Sequence, residues 1–458
     1  MTNLGYIPEE PICAIATALN PGAIGIVRAS GKDCIFLVSK IFSRPSALLK
    51  AQGYTMVHGW IQKAGKENEV ERIDEVMLAV YRSPKSFTGE DMIEIFCHGG
   101  VSVVTSVHKL LLENGFRQAE RGEFTFRAYI NGKTDLTRAE AVREIIDSKT
   151  EASRSRAAGR LYGSLYEEID SVKKLVVDTL ASIEVAVEYP EDEETISESY
   201  DEKKLLLAKS KLESLVYSWK SEKLYQDGAR VVLCGKTNAG KSSLFNALLK
   251  EERAIVSDIE GTTRDWLESW VSFEGLPARL FDTAGLRKTD DKIEALGVER
   301  TKDLSGEADL ILYVVDSKAG LVEDDISFIN SQQKIPLIVV WNKCDSPESK
   351  KSPENAVSIS AKTGNGVGLL TSRVKELLLG TENTEREQAG LGSERQKECV
   401  TEALERIQHA LNAPKEGYGL DAVVQDIEDA LDSLGEVTGE VTPEDVLGSI
   451  FANFCVGK

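Results

Sequence analysis

The sequence predicts a multidomain chain of α/β and all-α parts: an α/β domain first, then a helical bundle with a second α/β domain, of the P-loop (Ras-like) kind, inserted into it. Three observations predict this. A glycine-bounded loop at residues 235–242 stands between a strand-like run and an amphipathic helix. Apolar residues at helical spacing fill the segments on both sides of that unit. Short runs of strand character occupy residues 12 to about 120. The 458 residues allow roughly two to four domains by length. A composition of 41% hydrophobic and 28% charged residues suits an ordinary globular chain with several cores.

Composition also excludes classes of function. No apolar run approaches the ~18 residues of a membrane span, the longest being Leu310 to Val315, so no membrane partner is expected. The first residues carry Glu9 and Glu10 and no basic stretch, which argues against a secretory signal and for a cytoplasmic location. Seven cysteines are scattered without a CxxC pair, and the histidines at 58, 98, 108 and 409 lack ligand spacing. A disulfide framework or thiolate zinc site is therefore not expected. The net charge of −20 excludes non-specific binding of polyanions; a nucleic-acid partner needs a local basic patch or a second protein.

In chain order, Ile24 to Arg28, Val76 to Val80 and Met92 to Phe96 read as strands. Val103 to Leu112 reads as a helix stopped at Asn114-Gly115. From Leu161, apolar residues at 165, 169, 172, 176, 180, 183 and 187 form one stripe, predicting a continuous helix that ends at Pro190. An acidic stretch, Glu188 to Glu202, follows as a loop, and Lys203 to Leu224 is again helical. Beyond the P-loop unit, a polar connector at 382–393 leads to helices marked by Val400, Leu404, Ile407 and Leu411, by Leu420 to Leu434, and by Val446 to Phe454. Thr442-Pro-Glu-Asp445 reads as a capping box opening the last of these. Helices cannot bury a stripe alone, so the two flanking halves are expected to form one bundle.

Gly235-Lys-Thr-Asn-Ala-Gly240-Lys241-Ser242 fits GxxxxGK[ST], after the strand Arg230 to Cys234 and before a helix with Leu244, Leu248 and Leu249 on one face. Glycines let the backbone N–H groups turn inward around a β-phosphate, assisted by the helix N-terminus. Asn238, Ala239, Gly240, Lys241, Ser242 and Ser243 are the expected phosphate-loop contacts, with Lys241 on the β/γ-phosphates and Ser242 on Mg²⁺. Asp282, Thr283, Ala284 and Gly285 follow a second strand; Asp282 would hold the metal through water and the Gly285 N–H would meet the γ-phosphate. The segment Ser257, Asp258, Ile259, Glu260, Gly261, Thr262 and Thr263 is switch I, supplying a hydroxyl to Mg²⁺. Asn342, Lys343, Cys344 and Asp345 follow the strand Leu337 to Trp341 and choose the base. An aspartate accepts both guanine N1–H and N2–H, which adenine cannot offer. Ser360, Ala361 and Lys362 would give the base oxygen its backbone contact. Five elements in the right order predict a GTP site.

Hydrolysis needs a separate explanation. Regulatory GTPases place a water-orienting glutamine directly after the DTAG-like element; here that position is Leu286, which orients nothing. Asn238 and residues 257–262 could hold a monovalent cation where an arginine finger otherwise acts. Arg287, Asp290, Asp291 and Glu294 offer water-positioning groups.

The combination of GxxNxGKS, GTTRD, DTAGLR, a split helical domain and a terminal Phe454-Cys455-Val456-Gly457-Lys458 closely resembles the MnmE (TrmE) family of tRNA modification GTPases. The resemblance extends to Ser86-Phe-Thr-Gly-Glu-Asp91, His98-Gly-Gly100 and Gly122-Glu-Phe124. It implies a homodimer built on an N-terminal domain that binds a tetrahydrofolate derivative (5,10-methylene- or 5-formyl-). It further implies a flavoprotein partner of the MnmG/GidA type in a heterotetramer, action on the wobble uridine of certain tRNAs, and GTPase activity switched on by K⁺ when two G domains meet. Residue by residue, it places Asn238, Ser257, Ile259 and Thr262 on K⁺, Ser242 and Thr263 on Mg²⁺, and Glu294 on the attacking water. It places Arg28, Glu94, Lys133 and Lys458 on folate, and makes Cys455 a functional thiol. A carboxylate-bearing pterin suits such a set, since Arg and Lys can meet the carboxylates and Glu the pterin N–H donors. Two positions depart mildly from the family pattern: Ser257 for the usual threonine and Val456 for isoleucine or leucine.

The expected divisions are 1–124, an α/β folate-binding and dimerisation domain; 125–224, helical; 225–380, the GTPase domain; and 381–458, helical with the cysteine motif. The competing reading is a ribosome-assembly GTPase of the Era or Der type. It lacks support in a chain with one P-loop and no basic GXXG loop near its C-terminus.

Overall fold

The computed structural model describes residues 10–64, 69–188, 202–251, 268–282, 308–332, 335–380 and 389–458. It divides into two compact units, Met1–Arg143 with Leu434–Lys458, and Glu144–Ser433.

The first unit opens with β1 (Ile12–Ile15), β2 (Ile24–Ser30), α1 (Cys34–Ser39), α2 (Pro45–Lys50), β3 (Thr55–Ala64), β4 (Val70–Tyr81) and β5 (Met92–His98). α3 (Val101–Glu113), β6 (Arg117–Gln118), α4 (Glu123–Ile130) and the start of α5 (Leu136–Asp147) follow. The strands form one six-stranded sheet in the order β3-β4-β5-β2-β1-β6, antiparallel except where β6 joins β1. Alternation along β2 sends Val27 and Ala29 to one face, where Val104, Val107 and Leu111 of α3 cover them. Arg28 goes to the other face. There Ile12, Ala14, Met92 and Phe124 form a smaller apolar cluster with Tyr81 packed against it.

The second unit begins in the helical region with α6 (Glu151–Tyr162), α7 (Ser164–Glu188) and α8 (Glu202–Asp227). Residues 161–187 do not form one helix. α6 ends at Gly163, whose φ of 123° lies outside the helical region and is open to a residue without Cβ. Leu161 thereby belongs to α6 and is 39% exposed, outside the α7 stripe of Leu165, Ile169, Val172, Val176 and Ile183. Thr179 is the buried residue in the turn assigned from sequence to Leu180; its hydroxyl donates to the Leu175 carbonyl.

The inserted α/β part follows: β7 (Ala229–Cys234), α9 (Lys241–Glu251), β8 (Glu268–Phe273), β9 (Leu276–Asp282), β10 (Leu310–Asp316), α10 (Glu323–Ser331), β11 (Leu337–Asn342), β12 (Ala356–Ser358) and α11 (Val367–Leu379). Its sheet order is β12-β11-β10-β7-β9-β8, parallel except for the edge strand β8. β10 is buried along almost its whole length, as a parallel strand covered on both faces must be. The chain then returns to α12 (Glu394–Glu416) and α13 (Leu420–Thr438), and ends, within the first unit, with α14 (Glu444–Ala452).

α8 packs on both α7 and α12, so helices before and after the insertion share one core; Leu205, Leu212 and Leu215 of α8 and Val400, Leu404 and Ile407 of α12 are all buried. Between α6 and α8 lies a buried ion-pair network. Arg160 reaches Glu144 at 2.6 Å and Glu222 at 2.9 Å, and Arg156 also pairs with Glu222. Burial works against the Arg160 charge, but Glu144 and Glu222 outweigh it and raise its pKa.

The last helix does not open with a capping box. Pro443 occupies the N-cap and has no side chain to accept a hydrogen bond, while the Thr442 hydroxyl donates instead to the Glu436 carbonyl at 3.4 Å. Among the described residues no helix is long and apolar enough to cross a membrane.

Candidate functional site

Two sites emerge, one at the C-terminal ends of the parallel strands and one on the second face of the antiparallel sheet.

In the first, β7 delivers the chain into a loop that turns into α9. Gly240 has a φ of 97°, and a Cβ there would sit 2.2 Å from the Asn342 side-chain nitrogen, so no other residue fits. Lys241, 7% exposed, folds its Nζ back over the loop, donating to the carbonyls of Gly235 at 2.7 Å and Lys236 at 2.8 Å. An ammonium is thus held beside the start of a helix, whose N–H groups and dipole favour anions. Ser242 and Ser243 lie in the first turn of α9.

Asn342, 1% exposed, ends β11 and spends its amide internally. Its Nδ2 donates to the Ala239 carbonyl at 2.9 Å, and its Oδ1 accepts from Lys343 N–H at 2.8 Å and Ala361 N–H at 3.0 Å. One side chain therefore ties the phosphate loop to the two segments expected to read the base. The Ala361 N–H is consequently engaged by Asn342 rather than free. Asp345 accepts from the Ser360 hydroxyl at 2.8 Å, and that bond, with its own backbone N–H, holds the carboxyl below the usual range. It stays a carboxylate acceptor throughout the neutral range. Cys344 is pinned by its N–H to the Ile359 carbonyl and its thiol to the Trp341 carbonyl.

Asn238 stands in the left-handed region, φ 60°, with its carbonyl held by Lys343 Nζ at 2.6 Å. Its carboxamide is exposed and makes no hydrogen bond among the described residues. An exposed carboxamide oxygen in this loop has the chemistry of a monovalent-cation ligand. Ser257, Asp258, Ile259, Glu260, Gly261, Thr262, Thr263, Thr283, Ala284, Gly285, Arg287 and Glu294 lie outside the described residues.

In the second site, Arg28 on β2 and Glu94 on β5 face each other as a cross-strand pair. Arg28 Nε and Nη2 donate to Glu94 Oε1 at 2.9 and 2.7 Å, and Nη1 donates to the Gly457 carbonyl at 3.0 Å. The Tyr81 hydroxyl donates to Glu94 Oε2 at 3.2 Å. Phe87 and Phe124 flank the guanidinium at 5.7 and 5.8 Å. The tail reaches this place because Phe451 and Phe454 are buried against Phe126, Leu136 and Ala139, and because Phe124 N–H donates to the Lys458 carbonyl at 3.1 Å. Burial and the nearby Arg28 charge lower the Lys458 pKa. A half-buried cation crowded by another cation favours an anionic guest, and the flanking rings suit a planar one; folate fits both. Lys133 takes no part in the Arg28–Glu94 bonds. It lies against Gly89 and donates from Nζ to the Pro84 carbonyl at 3.0 Å.

Cys455 is exposed, whereas Cys13 and Cys97 are buried thiols whose pKa burial pushes up to about 12 and about 11. Thiolate chemistry is therefore closed to those two.

Sequence reasoning missed Tyr81, Phe87 and Phe124 as members of this site. The two-residue alternation of β4 could have found Tyr81, because Ala79 pairs with Glu94 and residues two apart share a face. It missed Asp316 as well, whose Oδ2 accepts from Lys343 Nζ at 2.7 Å.

Known families match the chain over nearly its whole length. Residues 11–133 match the family model of the GTP-binding protein TrmE N-terminus, and residues 136–455 that of the MnmE helical domain. A tRNA modification GTPase MnmE from Treponema denticola is 50% identical, with 99% of each chain covered. One from Treponema pallidum is 42% identical, again over 99% of each. A third, from Carboxydothermus hydrogenoformans, is 39% identical over 98% of this chain and 100% of its own. With both family models in chain order and such identity from end to end, the chain belongs to the MnmE (TrmE) family of tRNA modification GTPases.

Proposed function

We propose that this chain is the GTP-hydrolysing subunit of an enzyme that adds a carboxymethylaminomethyl or aminomethyl group to C5 of the wobble uridine of certain tRNAs. It works as a homodimer with a flavin-dependent partner of the MnmG type, and its turnover rises when two G domains meet in the presence of K⁺. The observation that supports this most is the Asn342 amide joining phosphate loop to base loop, in a chain that belongs to this family from end to end.

Each residue has its task. Lys241 meets the β/γ-phosphates while the loop N–H groups surround the β-phosphate. Asp345 accepts two donors from guanine. Ser242 and Thr263 are the Mg²⁺ ligands, Asn238 with Ser257, Ile259 and Thr262 the K⁺ ligands, and Arg28, Glu94, Lys133 and Lys458 the folate ligands. When bound, Mg²⁺ neutralises charge between the phosphates, K⁺ adds the positive charge an arginine finger otherwise provides, and the folate carries a one-carbon unit. Glu294, with Arg287 nearby in sequence, orients the water that Leu286 cannot. Cys455 is the exposed thiol available as a nucleophile. A net charge of −20 leaves most tRNA contact to the partner.

The test is nucleoside analysis of tRNA from cells lacking this protein, complemented with wild type, Asn238→Ala, or Arg28→Ala combined with Glu94→Ala. The wild type restores the C5-modified uridine. Asn238→Ala fails to restore it, and the purified variant no longer turns over GTP faster in K⁺ than in Na⁺. The double variant fails while remaining dimeric. Full modification by the double variant would remove the folate assignment, and equal wild-type rates in both salts would remove the cation.

A further inference from the structure

Two consecutive residues of the base loop grip two consecutive carbonyls of the phosphate loop. Asn342 holds Ala239 and Lys343 holds Asn238. The second grip has a third member. Lys343 Nζ also donates to Asp316 Oδ2 at 2.7 Å, and Asp316 Oδ1 is itself fixed by the Lys318 N–H at 2.9 Å. Asp316 ends β10 directly opposite Asn342 in the parallel register, so the sheet sets its position. Partial burial disfavours its charge, but the hydrogen bonds from Lys343 and Lys318 outweigh that and hold its carboxyl below the usual range.

Lys343 Nζ is partly open to water, with the side chain 36% exposed. An ammonium in that position keeps one orientation only if a fixed counter-charge outcompetes solvent. Without Asp316, the neutral Asn238 carbonyl would face that competition with no carboxylate beside it. Asn238 would then lose the contact that holds its left-handed backbone, from which its carboxamide projects.

We propose that Asp316 is a positioning residue for the monovalent-cation site, acting through Lys343 on Asn238, and that this relay couples guanine recognition to cation binding. The inference rests on the reading of Asn238 as a K⁺ ligand. Guanine docking on Asp345 stiffens the 342–345 segment, which stiffens Asn238; by linkage a cation at Asn238 tightens the hold on guanine nucleotide by the same factor. Asp316 touches neither partner.

The experiment measures the equilibrium affinity of the full-length protein for a GTP analogue with an imido bridge between the β- and γ-phosphates, in K⁺ and in Na⁺. Wild type should bind tighter in K⁺, by a factor within the roughly 5–150-fold span of such couplings. In Asp316→Asn, which keeps the side-chain shape and the Lys318 N–H acceptor, the ratio should fall to within about twofold of one. Asp316→Glu, which restores the charge, should recover part of it. An unchanged ratio in Asp316→Asn overturns the relay and leaves the cation reading standing. A wild-type ratio of one overturns the cation reading and the relay together. An equal loss of affinity in both salts makes Asp316 a general nucleotide-binding residue and also overturns the relay.

Discussion

Replacing Asn342 by alanine tests whether this side chain is a strut or a base contact. Three hydrogen bonds of 2.8–3.0 Å vanish with it. The Ala239 carbonyl belongs to a residue 2% exposed and cannot readily exchange its lost donor for water. The N–H groups of Lys343 and Ala361 belong to half-buried residues that can. Counting one unsatisfied buried group and two ordinary lost hydrogen bonds gives roughly 2–6 kcal/mol, all of it present before any nucleotide binds. A side chain that merely touched guanine would instead cost about 1–3 kcal/mol of affinity and leave the nucleotide-free protein unchanged. The chain has more than one compact unit, so a single unfolding midpoint would blur the effect. Hydrogen exchange read by mass spectrometry, without nucleotide, resolves it. Amides of β7, the phosphate loop and residues 342–363 should lose protection by a factor of at least about 30, the rate equivalent of about 2 kcal/mol. Unchanged protection there, with weakened GTP binding, would refute the strut.

Two other outcomes follow from the same geometry. Asp345→Asn exchanges an acceptor for a donor, and should move preference from guanine towards xanthine nucleotides, whose C2 carbonyl accepts what the introduced amide donates. Competition between GTP and XTP measures it, and retained GTP preference removes Asp345 from base choice. Lys458 has a pKa below the ordinary lysine value because of burial and Arg28, so an anionic ligand beside it should raise that pKa again and binding should take up a proton between the two values. Titration calorimetry of reduced folate in buffers of different ionisation enthalpy should show this uptake in the wild type and lose it in Lys458→Gln; identical behaviour of the two proteins would place the folate carboxylates elsewhere.

Much of the fold was legible because local chemistry and global structure agree. The phosphate loop could be read from spacing alone: strand, glycine-bounded turn and helix start are adjacent in sequence, and the geometry they impose is local. The buried stretch Leu310 to Val315 declared itself by its unbroken apolar character. Errors arose where one residue decided between local options. Gly163 breaks what periodicity alone reads as continuous, because a stripe can run past a break when the next helix resumes near the same phase. Thr442 looked like a cap but hydrogen-bonds elsewhere once Pro443 takes the N-cap. β1 and β3 carried too few alternating residues, or too many polar ones, to stand out.

What the sequence determined by itself was therefore the class of each part, the nucleotide motifs and their order, since these rest on contacts within a few residues. Only the tertiary structure decided which distant groups share a site. Arg28 and the Gly457 carbonyl are 429 positions apart, and Asn342 and Ala239 are 103 apart; each pair meets at hydrogen-bond distance. No local pattern encodes such a pairing, because it is fixed by sheet register and by the burial of Phe451 and Phe454, which are summed over the whole core rather than written at either partner.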